Sequence, residues 1–304
     1  MIESEVVENM LEKIKESKIL DHLLNRPLAL ASIIIIFLLF MGAIFAPLLA
    51  PQNPYEMKGT NLSNSLKPPI WMEGGKAPFI LGTDMMGRGI LSTILYGSRV
   101  SFFVGIIVVV SAGLIGGTIG LLAGYYGGIL DTIMMRMADT LLSFSQTLIA
   151  MLLLGLFKSN SVYLVIIAIV ISAWIQYART IRGEVISVKE EEFIEASRGI
   201  GSNDFRIIFK HVLPNAISPL LVIAAVNFGT AIMLEATLSF LGVGVPVTEP
   251  SLGMMISQGR NFLFAGKWWM VVFPGLALML IVFSLNLIAD WLRDEFDPRV
   301  KSNI

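Results

Sequence analysis

The sequence predicts an all-α, polytopic membrane protein with six transmembrane helices. Three observations carry that prediction. Of 304 residues, 55% are hydrophobic and only 15% are charged, where soluble domains run to about 25% charged, and the mean hydropathy is +0.76. Apolar runs recur along the chain at the length of roughly 20 residues that a helix needs to cross the bilayer core. Polar segments rich in Pro, Gly and charge separate those runs. The formal net charge of −1 argues against nucleic acid as a partner, and the absence of Cys excludes disulfides and cysteine-ligated metal.

Residues 1–27 form a charged N-terminal segment, in which Val6, Val7, Met10, Leu11 and Ile14 fall on one helical face. Its acidic residues, Glu3, Glu5, Glu8, Glu12 and Glu16, and the long apolar run behind it do not fit a secretory signal. Leu28 to Leu49 is the first span, closed by Pro47 and Pro51, within a unit set at 28–50. Residues 51–101 are the long loop that follows. Pro51, Pro54, Pro68, Pro69 and Pro78 keep its first part extended or turning, and Asn61-Leu62-Ser63 is a chance sequon. A short interfacial helix capped by Thr83 or Asp84 is expected to lead into the second span.

The remaining five spans form a core over 102–291. The second runs from Phe102 to Tyr125 and carries Gly113, Gly116, Gly117, Gly120 and Gly124. Small residues four apart let another helix backbone approach closely, either within the chain or between subunits. The third starts at Asp131 or Met137 and ends at Phe157, and the fourth runs from Val162 to Tyr177 after a polar turn at Lys158-Ser159-Asn160. The fifth covers Ile217 to Leu241, and the sixth Trp268 to Ile288, with Trp268, Trp269 and Trp291 as interfacial anchors. Residues 292–304 are a charged tail. With the N-terminus inside, 14 Lys and Arg fall on inner segments and 8 on outer ones, which places both termini in the cytoplasm of a cell-membrane protein.

Between the fourth and fifth spans lies Lys189 to Pro214, KEEEFIEASRGIGSNDFRIIFKHVLP. It reads as a helix with Phe193, Ala196, Ser197 and Ile200 on one face, a stop at Gly201, and a second helix capped by Ser202 and ended by Pro214. Phe205, Ile208 and Phe209 share one side of that second helix.

Glu195-Ala196-Ser197, then Gly201, then Leu213-Pro214 resembles the EAA loop of binding-protein-dependent ABC importers, with the spacing kept over twenty residues. Ser197 stands for the second Ala and His211 for Ile, the latter as in peptide-transporter members. Leu81-Gly82-Thr83-Asp84, Gly87-Arg88, Gly97-Ser98-Arg99-Val100-Ser101, Glu235 through Gly242, and Phe273-Pro274-Gly275 are similar to the C-type permeases of the dipeptide, oligopeptide and nickel branch. Asp139 to Phe144 also resembles a family segment in which Pro often follows; Ser145 stands there instead and supplies no proline kink.

The resemblance covers residues 28–299 and implies the type I ABC importer permease fold. It implies a coupling role for Glu195, Ala196, Ser197, Gly201, His211, Leu213 and Pro214, and peptides as cargo, with nickel or another small solute as the alternative. It implies four kinds of partner: a second homologous permease, two ATP-binding subunits carrying ATP and Mg, an extracytoplasmic substrate-binding protein and the lipid bilayer.

This chain itself reads as catalytically inert and free of cofactor. Gly74-Gly75-Lys76-Ala77 fails the phosphate-loop pattern, and His22 and His211 have no metal spacing. Glu235, deep in the fifth apolar run, must face protein or water. It is either a structural hydrogen-bonding group or part of the pathway. A proton-coupled secondary transporter built on Glu235 and Asp139, or a non-transporting scaffold, are the readings from other classes.

Overall fold

The computed structural model describes residues 23, 26–55, 62–157, 161–246 and 248–296, and among them the chain is helical with one isolated β-bridge. The amphipathic N-terminal segment apart from residues 23, 26 and 27, the turn at 158–160, Asn61 of the sequon and the tail beyond Phe296 lie outside the described residues. Among the described residues, five helices are long and apolar enough to cross a membrane, or up to six if one pair bent by 88° counts as a single broken span.

α1 (Pro27–Ile44) is the first span, opened by a proline whose missing N–H costs nothing there. It stops short of the expected Leu49. Pro47 cannot donate to Ala43, and the chain restarts as the single turn α2 (Ala46–Leu49). α3 (Ile90–Tyr126) is one unbroken 37-residue helix, so the separate interfacial helix is absent. Thr83 and Asp84 cap nothing; they belong to a folded loop that precedes α3. The Asp84 carboxylate accepts from the Met86 and Arg88 amides at 2.8 Å each and from Arg88 Nε at 2.6 Å, while Thr83 Oγ1 donates to the Asn64 carbonyl at 2.6 Å. The Thr83 carbonyl accepts from the indole of Trp269. Trp269 is therefore buried in this loop contact instead of sitting as an interfacial anchor.

Gly127 and Gly128, both at positive φ, end α3 and open α4 (Gly128–Leu142). α5 (Gln146–Phe157) follows at an angle of 88° to α4. The third span is thus broken without a proline. The Ser143 amide is shared between the carbonyls of Asp139 and Thr140, and its hydroxyl also takes the Asp139 carbonyl, the kind of local bonding by which serine competes with a continuing helix.

α6 (Val162–Lys189) outruns its apolar segment by twelve residues. The charges that end the run at Tyr177 do not end the helix because α4 answers them. Arg182 pairs with Asp131 (Nη2–Oδ2 2.7 Å) and Arg179 with Asp139.

α7 (Glu192–Gly199) and the single turn α8 (Asp204–Ile207) form the polar stretch. A π-turn over Ile208–Val212 then runs directly into α9 (Leu213–Phe240). Pro214 does not end the second helix as expected. It has no N–H for the Lys210 carbonyl, and the chain widens by one residue per turn and continues. α10 (Leu252–Arg260) and α11 (Trp269–Phe296), the sixth span, complete the fold.

Three apolar clusters hold it together. One joins α3, α5, α6 and α9; a second joins α1, α3, α10 and α11; a third lies at the C-terminal ends of α3 and α6.

Candidate functional site: the elbow, the glycine seam and the buried glutamate

α7 ends in a Schellman motif. The Ser202 amide bonds the Ser197 carbonyl at 3.1 Å, the Gly201 amide bonds the Arg198 carbonyl at 2.9 Å, and Gly201 sits at φ +82°. Asn203, not Ser202, caps the next turn, its side chain accepting from the Arg206 amide at 2.9 Å. The elbow is clamped to the span ends by its own apolar residues. Ile194, Ile207, Ile208 and Val212 are buried with Leu121, Tyr125, Ile181 and Val185. Ser197 is buried alongside, while Glu195, Ala196, Gly201 and Pro214 are exposed and His211 and Leu213 are half-buried.

The expected greasy face is corrected by this arrangement. Phe193, Ala196 and Ile200 do not share a buried side with Ser197; the buried step is Ile194–Ser197. Ile200 (84% exposed), Phe205 (69%), Phe209 (52%) and Phe193 (46%) point outward. The rings of Phe205 and Phe209 lie 4.5 Å apart, and that of Phe193 lies 6.1 Å from His211. The elbow therefore has two apolar sides, one spent on its own protein and one open.

Tyr125 holds the elbow in place. Its hydroxyl donates to Asp204 Oδ1 at 2.6 Å, its carbonyl accepts from Lys189 Nζ at 2.6 Å, and the Lys189 and Arg198 cations lie 5.6 and 5.7 Å from its ring centre. In the sequence Tyr125 marks only the end of an apolar run. Its sole signal there is an aromatic facing a charged stretch some sixty residues on.

The five glycines divide. A Cβ on Gly116 or Gly120 would overlap the backbone carbonyl of Trp174 or Ala178, and one on Gly124 would stand 2.9 Å from Val185 Cβ and 3.0 Å from the Arg182 carbonyl. These three form a seam in which α3 and α6 touch backbone to backbone. Gly113 and Gly117 stand off it, at ordinary contact with Tyr177 and Leu220. The seam is packing within one chain.

Glu235 is fully buried. Ser239, one turn on, donates to Oε1 at 2.8 Å, and Ser101 of α3 donates to Oε2 at 3.1 Å. Ser251, which caps α10 by accepting from the Met254 amide at 3.2 Å, stands near the carboxylate. A Cβ on Gly253 would overlap the Ala236 carbonyl, so α10 lies hard against α9 beside this carboxylate. Asp139, the other acid of the secondary-transport reading, pairs separately with Arg179. Among the described residues, no group of His, Asp or Glu is arranged to hold a metal.

Two cavities of mixed polar and apolar lining open between the helices. One of about 410 Å³ lies where Arg99 and Phe103 of α3 meet Tyr163 at the start of α6 and Glu249 of the connector between α9 and α10. Burial, then the Glu249 carboxylate, push the nearby Tyr55 phenol up from its ordinary value. The other, of about 260 Å³, lies at the break between α4 and α5.

A broken third span, an elbow clamped between the fourth and fifth spans, and a fifth span rising from that elbow without a stop define a permease core. The model of the binding-protein-dependent transport system inner membrane component family matches residues 116–302, and that of the N-terminal transmembrane domain of oligopeptide transport permease C matches residues 18–69. The chain belongs to this family: it is a multi-pass membrane permease of the ABC importer class and not itself an enzyme.

Over 281 residues it is 41% identical to a dipeptide transport system permease protein DppC of Alkalihalophilus pseudofirmus, covering 92% of this chain and 89% of the relative. The DppC of Haemophilus influenzae is 38% identical, covering 90% of this chain and 91% of the relative. The oligopeptide transport system permease protein OppC of Bacillus subtilis is also 38% identical, covering 91% and 87%.

Proposed function

We propose that this chain forms half of the translocation pathway of a peptide importer for dipeptides or oligopeptides. Two separate ATP-binding subunits drive it through residues 189–214. A second, homologous permease supplies the other half of the path, and an extracytoplasmic binding protein delivers cargo to the outer loop at 51–101. ATP and Mg bind to the partner subunits. Both termini and the elbow lie in the cytoplasm.

The observation that carries this reading is the two-sided elbow. An apolar knob of Ile200, Phe205 and Phe209 stays open to solvent while Ile194, Ile207 and Ile208 fix its base to the inner ends of three spans. Exposed apolar side chains grouped on a rigid base are the signature of a partner site. Glu195, Ala196 and Gly201 sit on the exposed surface of the same elbow, where small side chains let a partner cleft close over the backbone.

The test is co-expression of the tagged chain with the candidate ATP-binding subunits and their co-purification. Ile200→Asp with Phe205→Asp, both outward-facing, are expected to leave the chain in the membrane and strip it of ATPase. Full retention of the ATPases by this double variant would refute the docking role.

A further inference from the structure

We propose that the cavity at the break in the third span is where this subunit holds the passing peptide by its main-chain amides, through uncharged hydrogen-bonding side chains at the middle of the bilayer. The proposal rests on the peptide-importer reading and adds to it a surface and a mode of recognition.

Gln146, Thr147, Thr230, Thr237 and Asn286 line this cavity together with apolar neighbours. Three separate elements, α5, α9 and α11, bring them to one place. The depth follows from helix geometry. Gly229, beside Thr230, stands about 16 Å along α9 from its outer end at Phe240, and packs on Leu285 and Asn286 of the antiparallel sixth span. The 12 residues of α5 reach only about 18 Å from the outer face. Gln146 thus starts a helix near the centre of a ~30 Å hydrocarbon layer.

That placement is incompatible with lipid. The amides of Gln146 and Asn286 have no hydrogen-bond partner among the described residues. The first turn of α5 leaves backbone N–H groups without helical acceptors. Non-helical backbone at this depth, here Ser143 to Ser145, is tolerated only where protein or a water-filled cavity covers it. The break and the polar lining are independent observations, and both require water or a polar ligand at the same spot.

The chemistry of the lining selects the ligand. It contains no charge, so it neither holds nor repels one side-chain type among many. Thr230 and Thr237 donate their hydroxyl hydrogens to the Val226 and Met233 carbonyls of their own helix, at 3.1 and 2.8 Å. Their oxygens are left as acceptors, suited to a peptide N–H. The Gln146 and Asn286 amides offer both a donor and an acceptor, as a peptide group does. Neutral bonds of this kind are individually weak, which suits a surface that must release what it holds.

The chain has no native Cys, so single cysteines introduced in it report accessibility directly. The test uses the complete transporter with its ATPases, partner permease and extracytoplasmic binding protein, reconstituted in vesicles. Uptake of alanyl-alanine by the unaltered complex is measured first; its failure would count against the peptide reading alone. Thr230→Cys and Asn286→Cys are then treated with a charged methanethiosulfonate, with Met279→Cys on the apolar face of the sixth span as control.

The two cavity cysteines are expected to react at least about tenfold faster than the control, a ratio equivalent to ~1.4 kcal/mol, and their modification to stop uptake. Asn286→Leu is expected to slow uptake of Ala-Ala, Glu-Glu and Lys-Lys by a common factor, with ATPase assembly intact. Cysteines unreactive in every nucleotide state would mean that the partner permease or lipid fills this face, and would overturn the proposal. So would a loss in Asn286→Leu confined to one side-chain chemistry.

Discussion

Replacing Glu235 separates a structural role from a role in the pathway. Its two carboxylate oxygens accept from Ser101 on the second span and Ser239 on its own helix, with Ser251 at the head of α10 nearby. Glu235→Ala leaves those hydroxyls without their acceptor and opens a void among α3, α9 and α10. A buried polar group stripped of its partner costs about 1–3 kcal/mol. Serines in helices can turn back to a carbonyl of their own helix, so the lower end applies to each of the two bonded hydroxyls, and the loss is about 2 kcal/mol before the void is counted. Glu235→Gln keeps the volume, one acceptor oxygen and a donor that a serine oxygen can take, and should cost about 1 kcal/mol.

The assay is thermal unfolding of the detergent-solubilised transporter, followed by fluorescence, beside ATP-driven uptake in vesicles. The alanine variant is expected to melt well below the parent, with uptake reduced in proportion to folded protein. The glutamine variant should stay near the parent in both. Glutamine melting normally but transporting nothing would refute this reasoning and assign the carboxylate to proton or cargo handling.

Gly120→Ala should destabilise by about 1–3 kcal/mol, because the new methyl meets the Ala178 carbonyl. Gly117→Ala, with 3.6 Å to a movable Leu220 methyl, should be neutral or better, and a melting comparison of the two decides it. Gly201→Asp strains a left-handed position by about 1–2 kcal/mol and adds charge to the exposed turn. It should leave membrane levels unchanged and cut ATP-driven uptake, and unchanged uptake at equal expression would remove Gly201 from docking. Tyr125→Phe loses the 2.6 Å bond to Asp204, worth about 1 kcal/mol. It should leave the ATPases bound while lowering the peptide carried per ATP hydrolysed, read from uptake and phosphate release in the same vesicles.

Apolar run length located the five long membrane-length helices in the sequence, because desolvation of the backbone forces a helix wherever the side chains are greasy enough. Helix ends were less legible. The fourth span passes Tyr177 because Arg179 and Arg182 find Asp139 and Asp131, a pairing set by tertiary structure. Pro214 reads as a stop but is absorbed by a π-turn. The broken third span carries no proline, and only its serines hint at it. At the elbow, the glycine stop and the small residues were legible from spacing. The buried side was not: Ile194 and Phe193 are equally apolar, and only the position of Tyr125 and Val185 decides which one turns inward.

The seam of Gly116, Gly120 and Gly124 has a mechanical consequence. Two helices that mesh through methyl-sized side chains can slide past each other by repacking those groups. Here the peptide planes of one helix fit the bare backbone of the other, and a shift of a single residue would drive Ile119 or Leu121 into a carbonyl. The second and fourth spans are therefore geared together and travel as one body. Whatever relative motion the transport cycle needs must arise elsewhere in the molecule.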